Sequence, residues 1–218
     1  HKITIMKYLD ELDELAEKIG SVNVVAIRDG KLKGYNTDGI GFARALAEET
    51  GMDLSRNTFF IFGAGGASRA LSSTLAYQGA KKLYIIDAFD EVSASLVKDI
   101  NGRIRECAEF VAFDKAPIRQ LLQKCNVLVN ASGIGMAPHL GESPVHKKFL
   151  YKELFVYDIT YNPPKTQLLV DAEEAGCRTM NGIGMAIHQG IKGFSIMTGM
   201  PEPTEIMREA MYRIIGKR

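Results

Sequence analysis

The sequence predicts an α/β fold centred on a doubly wound parallel sheet, and three observations carry that reading. From Phe59 to Thr179 short apolar runs alternate with helix-forming stretches in βα units. One run, Thr58-Phe59-Phe60-Ile61-Phe62, breaks into Gly63-Ala64-Gly65-Gly66-Ala67 and then into a helical pattern, the order strand, tight turn, helix. About twenty residues on, Lys82-Leu83-Tyr84-Ile85-Ile86 forms a second apolar strand and ends in a carboxylate, Asp87.

Taken in order, the chain opens with Ile5, Met6, Leu9, Leu12, Leu15, Ala16 and Ile19 recurring every three or four residues, which predicts an amphipathic helix over 2–19, ended by Gly20. Val22 to Ile27 and Leu32 to Asn36 flank the turn Arg28-Asp29-Gly30-Lys31 and predict a hairpin or two short neighbouring strands. Asn23 lies inside the apolar strand and needs hydrogen-bond partners, which either the backbone or a ligand supplies. Thr37 or Asp38 then suits the N-cap of a helix over Ile40 to Glu49. Strands follow at Phe59 to Phe62, Lys82 to Asp87, Glu109 to Phe113, Val127 to Asn130, Leu154 to Asp158 and Arg178 to Met180. A long Gly- and Pro-containing loop, Gly133 to Lys148, leaves the carboxyl end of a strand, where ligands of such sheets bind. Met185 to Met197 and Thr204 to Ile215 read as helices with no partner strands, packed against the first helix and hairpin.

The glycine turn reads as the phosphate cradle of a Rossmann-type dinucleotide site. Gly63 and Gly65 spare a Cβ where positive φ and close approach of phosphates are expected, and the helix N-terminus faces the anion. The usual spacing wants Gly or Ala at position 68 and finds Ser, still small enough for close helix packing. Gly63, Ala64, Gly65, Gly66 and Ala67 are therefore the expected phosphate contacts, with Asp87 and neighbouring Asp90 at the ribose.

Composition excludes several classes. Lys and Arg number 27 against 26 Asp and Glu, so no basic field invites nucleic acid or an anionic membrane. No apolar run approaches the ~18 residues of a membrane span, and the start lacks signal-peptide order, so a soluble, cytoplasmic protein is expected. Cys107, Cys125 and Cys177 have no C-x-x-C spacing; they read as core residues in a reducing compartment, with no metal site. His139 and His146 lack metal-ligand spacing, and His188, in a helix beside Gln189, reads as a packing residue.

Gly34-Tyr35-Asn36-Thr37-Asp38-Gly39, the Gly63-to-Ala67 turn, Asn130-Ala131-Ser132-Gly133-Ile134-Gly135-Met136, Asp158-Ile159-Thr160-Tyr161-Asn162-Pro163 with Thr166, and Gly182-Ile183-Gly184-Met185 with Gln189 occur in this order. Together they resemble the shikimate dehydrogenase family over essentially all 218 residues. The resemblance implies reversible reduction of 3-dehydroshikimate to shikimate with a nicotinamide cofactor, in the shikimate pathway of aromatic amino acid biosynthesis, by two domains flanking a cleft. It implies a dinucleotide-binding domain over 38–185 and an incomplete α/β substrate domain from 1–37 and 186–218. It further implies Lys2 and Asp38 as the catalytic pair, Asn23, Asp38, Tyr161 and Gln189 as substrate contacts, and Ser132, Gly184 and Met185, with Tyr161, at the cofactor. A homodimer is left open.

Hydride transfer creates or collapses an alkoxide, so a proton moves at the same oxygen, and a Lys beside a carboxylate can move it. Lys2 as acid/base with Asp38 orienting it is the preferred assignment, and exchange by Asp38 stays open. Asp87-Ala88-Phe89-Asp90 stands where NADP users of the family carry Asn-Arg-Ser/Thr, so NAD is expected first and NADP second, as in the quinate/shikimate dehydrogenase branch. The chain begins at His1-Lys2 without Met, and the family's amino-terminal segment, with its Ser-rich substrate motif, is not in it. It reads as the remainder of a longer polypeptide, expected to bind cofactor but to be impaired in turnover, with Lys2 on a fraying end. A non-catalytic dinucleotide or metabolite sensor on the same fold is the alternative.

Overall fold

Near the start of the chain, local periodicity competes with tertiary pairing, and pairing wins. The computed structural model, which describes residues 2–113 and 117–215, replaces the helix expected over 2–19 by three pieces. A 3-10 turn at Thr4–Tyr8 is followed by strand β1 (Glu11–Leu12) and helix α1 (Glu14–Ile19). Asp13 breaks the run because its carboxylate caps α1, accepting the Leu15 N–H at 3.1 Å. Asp10 accepts the Leu32 N–H at 2.7 Å and so ties the segment to its neighbour strand. The expected hairpin forms from β2 (Val24–Arg28) and β3 (Lys31–Tyr35), antiparallel, around Asp29 and Gly30 with φ of 50° and 76°. β1 joins β3 in parallel, pairing Glu11 with Lys33 and Leu12 with Gly34.

Helix α2 (Asp38–Thr50) buries Phe42, Ala45 and Leu46. Then come β4 (Thr58–Phe62), α3 (Gly66–Tyr77), β5 (Lys82–Ile86), α4 (Asp90–Arg103), β6 (Ala108–Phe110), α5 (Ile118–Leu122), β7 (Val127–Asn130), β8 (Phe155–Asp158), α6 (Gln167–Glu174) and β9 (Arg178–Met180). The six strands β4 to β9 form one parallel sheet in the order β6-β5-β4-β7-β8-β9. Every residue of β4 is buried, as a central strand covered on both faces requires. One face packs Phe60, Ile86, Leu128, Val156, Leu168 and Leu169 into a common core. Cys107, Cys125 and Cys177 are buried free thiols, and burial pushes the Cys125 thiol up to about 12. The chain ends in α7 (Ile183–Thr198) and α8 (Thr204–Ile215).

Two compact units result, His1–Met52 with Gly184–Arg218, and Asp53–Ile183. The division falls after Met52, whereas the sequence reading placed it before Asp38: α2 packs on α7, and both belong to the first unit. Within that contact, a Cβ added to Gly41 would meet Gln189 N and Met185 O at 2.7 Å. Among the described residues no helix is long and apolar enough to cross a membrane, and no group of three His, Cys, Asp or Glu could hold a metal.

Candidate active site

In the second unit the sheet order reverses between β4 and β7, and the glycine turn leaves β4 at that point. Gly63 has φ of 98°, and a Cβ on it would lie 2.5 Å from the Ala131 carbonyl oxygen beyond β7. Gly65 has an ordinary φ of −70°, so the expected positive φ holds at Gly63 alone. What Gly65 and Gly66 provide is space: a Cβ on either would meet nothing within 4 Å. That space opens at the N-terminus of α3, where free N–H groups and the helix dipole suit an anion. Ser68 at the irregular position is fully buried and donates its hydroxyl to the Gly63 carbonyl at 2.5 Å, so the larger residue braces the turn instead of crowding it.

Two cavities share Gly65, Ala131 and Ser132 in their walls. The first, about 550 Å³, is bounded by Asp87, Ala88, Phe89, Phe113 and Glu142. The second, about 520 Å³, is bounded by Gly66, Ala67, Met136, Thr160 and Tyr161. Asp87 accepts the Ala64 N–H at 2.7 Å and the Phe89 N–H at 3.0 Å, which aims its carboxylate at the turn. Asp90 is not in the wall; it accepts the Phe113 N–H at 2.9 Å and so holds the chain after β6 against the mouth of the cavity. Ser132 donates to Asn130 Oδ1 at 2.7 Å.

Beneath these cavities lies a network that the sequence reading quoted as motif but gave no role. Asp158 is fully buried and accepts from Asn130 Nδ2 at 3.0 Å, Thr166 Oγ1 at 2.7 Å and the Thr160 N–H at 2.9 Å. It ties the ends of β7 and β8 and the start of α6 together. Its sequence signal is a polar residue closing an apolar strand, at Asn130 and again at Asp158.

In the first unit Lys2 Nζ lies 2.5 Å from Asp38 Oδ2, with the Lys2 side chain 48% exposed and that of Asp38 11%. Asn23 Nδ2 donates to Asp38 Oδ1 at 2.7 Å and to Thr37 Oγ1 at 3.0 Å, while its Oδ1 accepts the Thr37 N–H at 2.9 Å. Asn23 is thus partnered by side chains and backbone together. Thr37 occupies the N-cap position of α2 without capping it, because its hydroxyl is turned to Asn23. Asn36 accepts the Asp38 N–H at 3.1 Å and donates to Ser21, fixing the approach to α2. Asp38 itself sits in the first turn, where the helix favours a carboxylate. Lys2 is anchored rather than frayed: its carbonyl accepts the Val22 N–H at 2.9 Å.

Gln189 lies on α7 against Gly41, and its amide donates to the Ala186 carbonyl at 3.1 Å. Met185 is buried beside it, and Gly184 borders a small cavity with Glu48, His188 and Arg208. Both group with the first unit, not with the dinucleotide turn. His188, read as packing, is 6% exposed with Nε2 3.1 Å from Glu48 Oε2.

Residues 182–212 match the model of the shikimate 5'-dehydrogenase C-terminal domain. Shikimate dehydrogenase (NADP(+)) of Methanopyrus kandleri is 41% identical over 97% of this chain and 73% of its own. Shikimate 5-dehydrogenase of Listeria monocytogenes, solved with shikimate and NAD, superposes with a TM-score of 0.89 at 38% identity over 97% of this chain and 74% of that one. Quinate dehydrogenase of Corynebacterium glutamicum, solved with NAD, does so with a TM-score of 0.89 at 32% identity and the same coverage. With the parallel sheet, the glycine turn and the Lys2–Asp38 pair in place, this chain belongs to the shikimate dehydrogenase family.

Proposed function

We propose that this chain is an NAD-preferring dehydrogenase of shikimate or quinate in which Lys2 exchanges the hydroxyl proton and Asp38 orients it. The carrying observation is the Lys2–Asp38 contact, with the second Asp38 oxygen held by Asn23. A carboxylate gripped on both oxygens is a fixed reference for the amine, and half the Lys2 side chain stays open to a ligand. In oxidation the substrate hydroxyl gives its proton to the Lys2 amine as its carbon loses hydride; in reduction the ammonium returns the proton to the forming alkoxide. The chemistry a nicotinamide held here would supply is acceptance or donation of that hydride. Asn23, Tyr161 and Gln189 are assigned to the substrate hydroxyls and carboxylate, and Gly184 and Met185, with Tyr161, to the nicotinamide end.

The open space at Gly65 and Gly66 fits a pyrophosphate, which the N–H groups of Gly65, Gly66 and Ala67 would hold beside Ser132, while the Gly63 and Ala64 N–H groups donate to Ile86 and Asp87 and shape the turn. Asp87 then accepts from the adenosine ribose. Among the described residues bounding the Asp87 cavity there is no Lys or Arg, and Asp87 and Glu142 are both acidic, which opposes a 2′-phosphate. Asp90 contributes charge nearby and the hold on Phe113.

The test is to follow reduced cofactor by absorbance with shikimate and with quinate, each with NAD and NADP. A higher kcat/KM with NAD for one of the two substrates is expected. Cofactor binding with turnover of neither would leave a sensor in place of an enzyme.

A further inference from the structure

We infer that His188, acting through Glu48, is a positioning residue that sets the orientation of α7 on α2 and so the placement of Gln189 relative to Asp38. The inference rests on the proposed substrate roles of those two residues. At Gly41, the first turn of α2 after Asp38, the two helices meet main chain to main chain: a Cβ there would lie 2.7 Å from Gln189 N and Met185 O and 2.8 Å from Gln189 Cβ. A contact made by backbone atoms fixes a distance, since no side chain can yield. It leaves rotation about the contact free.

A second point removes that rotation. Near the far end of α2, Glu48 Oε2 lies 3.1 Å from His188 Nε2. The ring is 6% exposed and shares the wall of a cavity of about 270 Å³ with Glu48, Arg208 and Tyr212, so the contact clasps the two helices where they border that cavity. Arg208 of α8 lies 3.5 Å from the same carboxylate oxygen. His188 directly precedes Gln189, so a tilt of α7 at the Glu48 contact is carried to the neighbouring amide.

Steady-state kinetics decide the matter, with shikimate varied at saturating NAD and NAD varied at saturating shikimate. His188→Leu should raise the KM for shikimate about tenfold while the KM for NAD stays within about twofold. His188→Gln keeps a donor near the Nε2 position and should return the shikimate KM to within about threefold of the parent. Gly41→Ala, which forces the helices apart without deleting a partner, should repeat the His188→Leu pattern and serves if that variant fails to fold. An unchanged shikimate KM in a folded His188→Leu, or in Gly41→Ala if His188→Leu does not fold, overturns the inference, as does an equal rise in both KM values. Gln189→Ala and Asp38→Asn are measured alongside. If these leave shikimate kinetics unchanged, the site assignment itself has failed; if they impair it and the His188 and Gly41 variants do not, only the positioning role has.

Discussion

The two units each hold a buried carboxylate in a polar network, and the networks differ in how completely they close. In the second unit Asp158 is fully buried, and its partners Asn130 and Thr166 are 1% exposed. Three donors of the protein's own engage both its oxygens, and it has no exposed surface to offer a ligand. In the first unit Asp38 is gripped by Asn23 and Lys2, yet Lys2 leads outward with half its side chain exposed. A closed network fixes the backbone around it. An open one presents a held charge to whatever binds, which is what proton transfer needs. Two Asp residues, both at motif positions and both buried, thereby differ in the accessibility of their partners, and it is the open one to which the proposed chemistry is assigned.

The sharpest way to break this comparison is to remove each carboxylate and read stability and turnover together. Asp158→Ala should destabilise the protein by about 3 kcal/mol, since it strands the Asn130, Thr166 and Thr160 donors in a dry site, with denaturant melts as the measurement. Asp38→Asn, and separately Lys2→Ala, should lower kcat by ~10²-fold or more, with NAD affinity by fluorescence nearly unchanged. Equal losses of stability from Asp158→Ala and Asp38→Asn would erase the distinction between the networks.

A smaller effect is expected at the cofactor. Asp87→Asn combined with Ala88→Arg should shift the NAD to NADP ratio of kcat/KM about tenfold toward NADP, by removing a carboxylate and adding a cation for the 2′-phosphate. Tighter NADP than NAD binding in the parent would refute the preference outright.

The smallest effect is acid sensitivity of the first unit. Burial holds the His188 imidazole below its ordinary value of 6.5, opposed by Glu48 and reinforced by Arg208 and Arg44, with Glu49 again opposing. The unfolded chain therefore binds a proton that the folded one refuses, so stability falls as pH drops below 6.5 toward the native value. His188→Gln, which does not titrate, should flatten the melting profile across that window. An identical pH profile in parent and variant would remove His188 from the account.

Much of the second unit was legible in the sequence because its signals are local. Each strand is an apolar run bounded by turn residues, each βα unit closes on itself, and the glycine turn announces its own geometry within a few residues. The strands expected at Val127 to Asn130 and Arg178 to Met180 match the structure at both ends. The first unit was harder because its elements depend on partners distant in sequence. The apolar spacing over 2–19 is compatible with a helix, but Glu11 and Leu12 gain more from pairing with Lys33 and Gly34 than from helical hydrogen bonds, and Asp13 restarts the helix behind them.

By itself the sequence determined the alternation that makes a parallel sheet, the glycine turn between Gly63 and Ala67, the carboxylate at Asp87, and the set of motif residues in register. Only the tertiary structure decided that Asn23 and Lys2 converge on Asp38, that Ser68 braces Gly63, that Asp90 faces Phe113, and that α2 packs with α7. The physical reason is one of range. Backbone propensity and hydrophobic period act over neighbouring residues, whereas the hydrogen bonds that distinguish an open network from a closed one join side chains whose proximity exists only after the chain has folded.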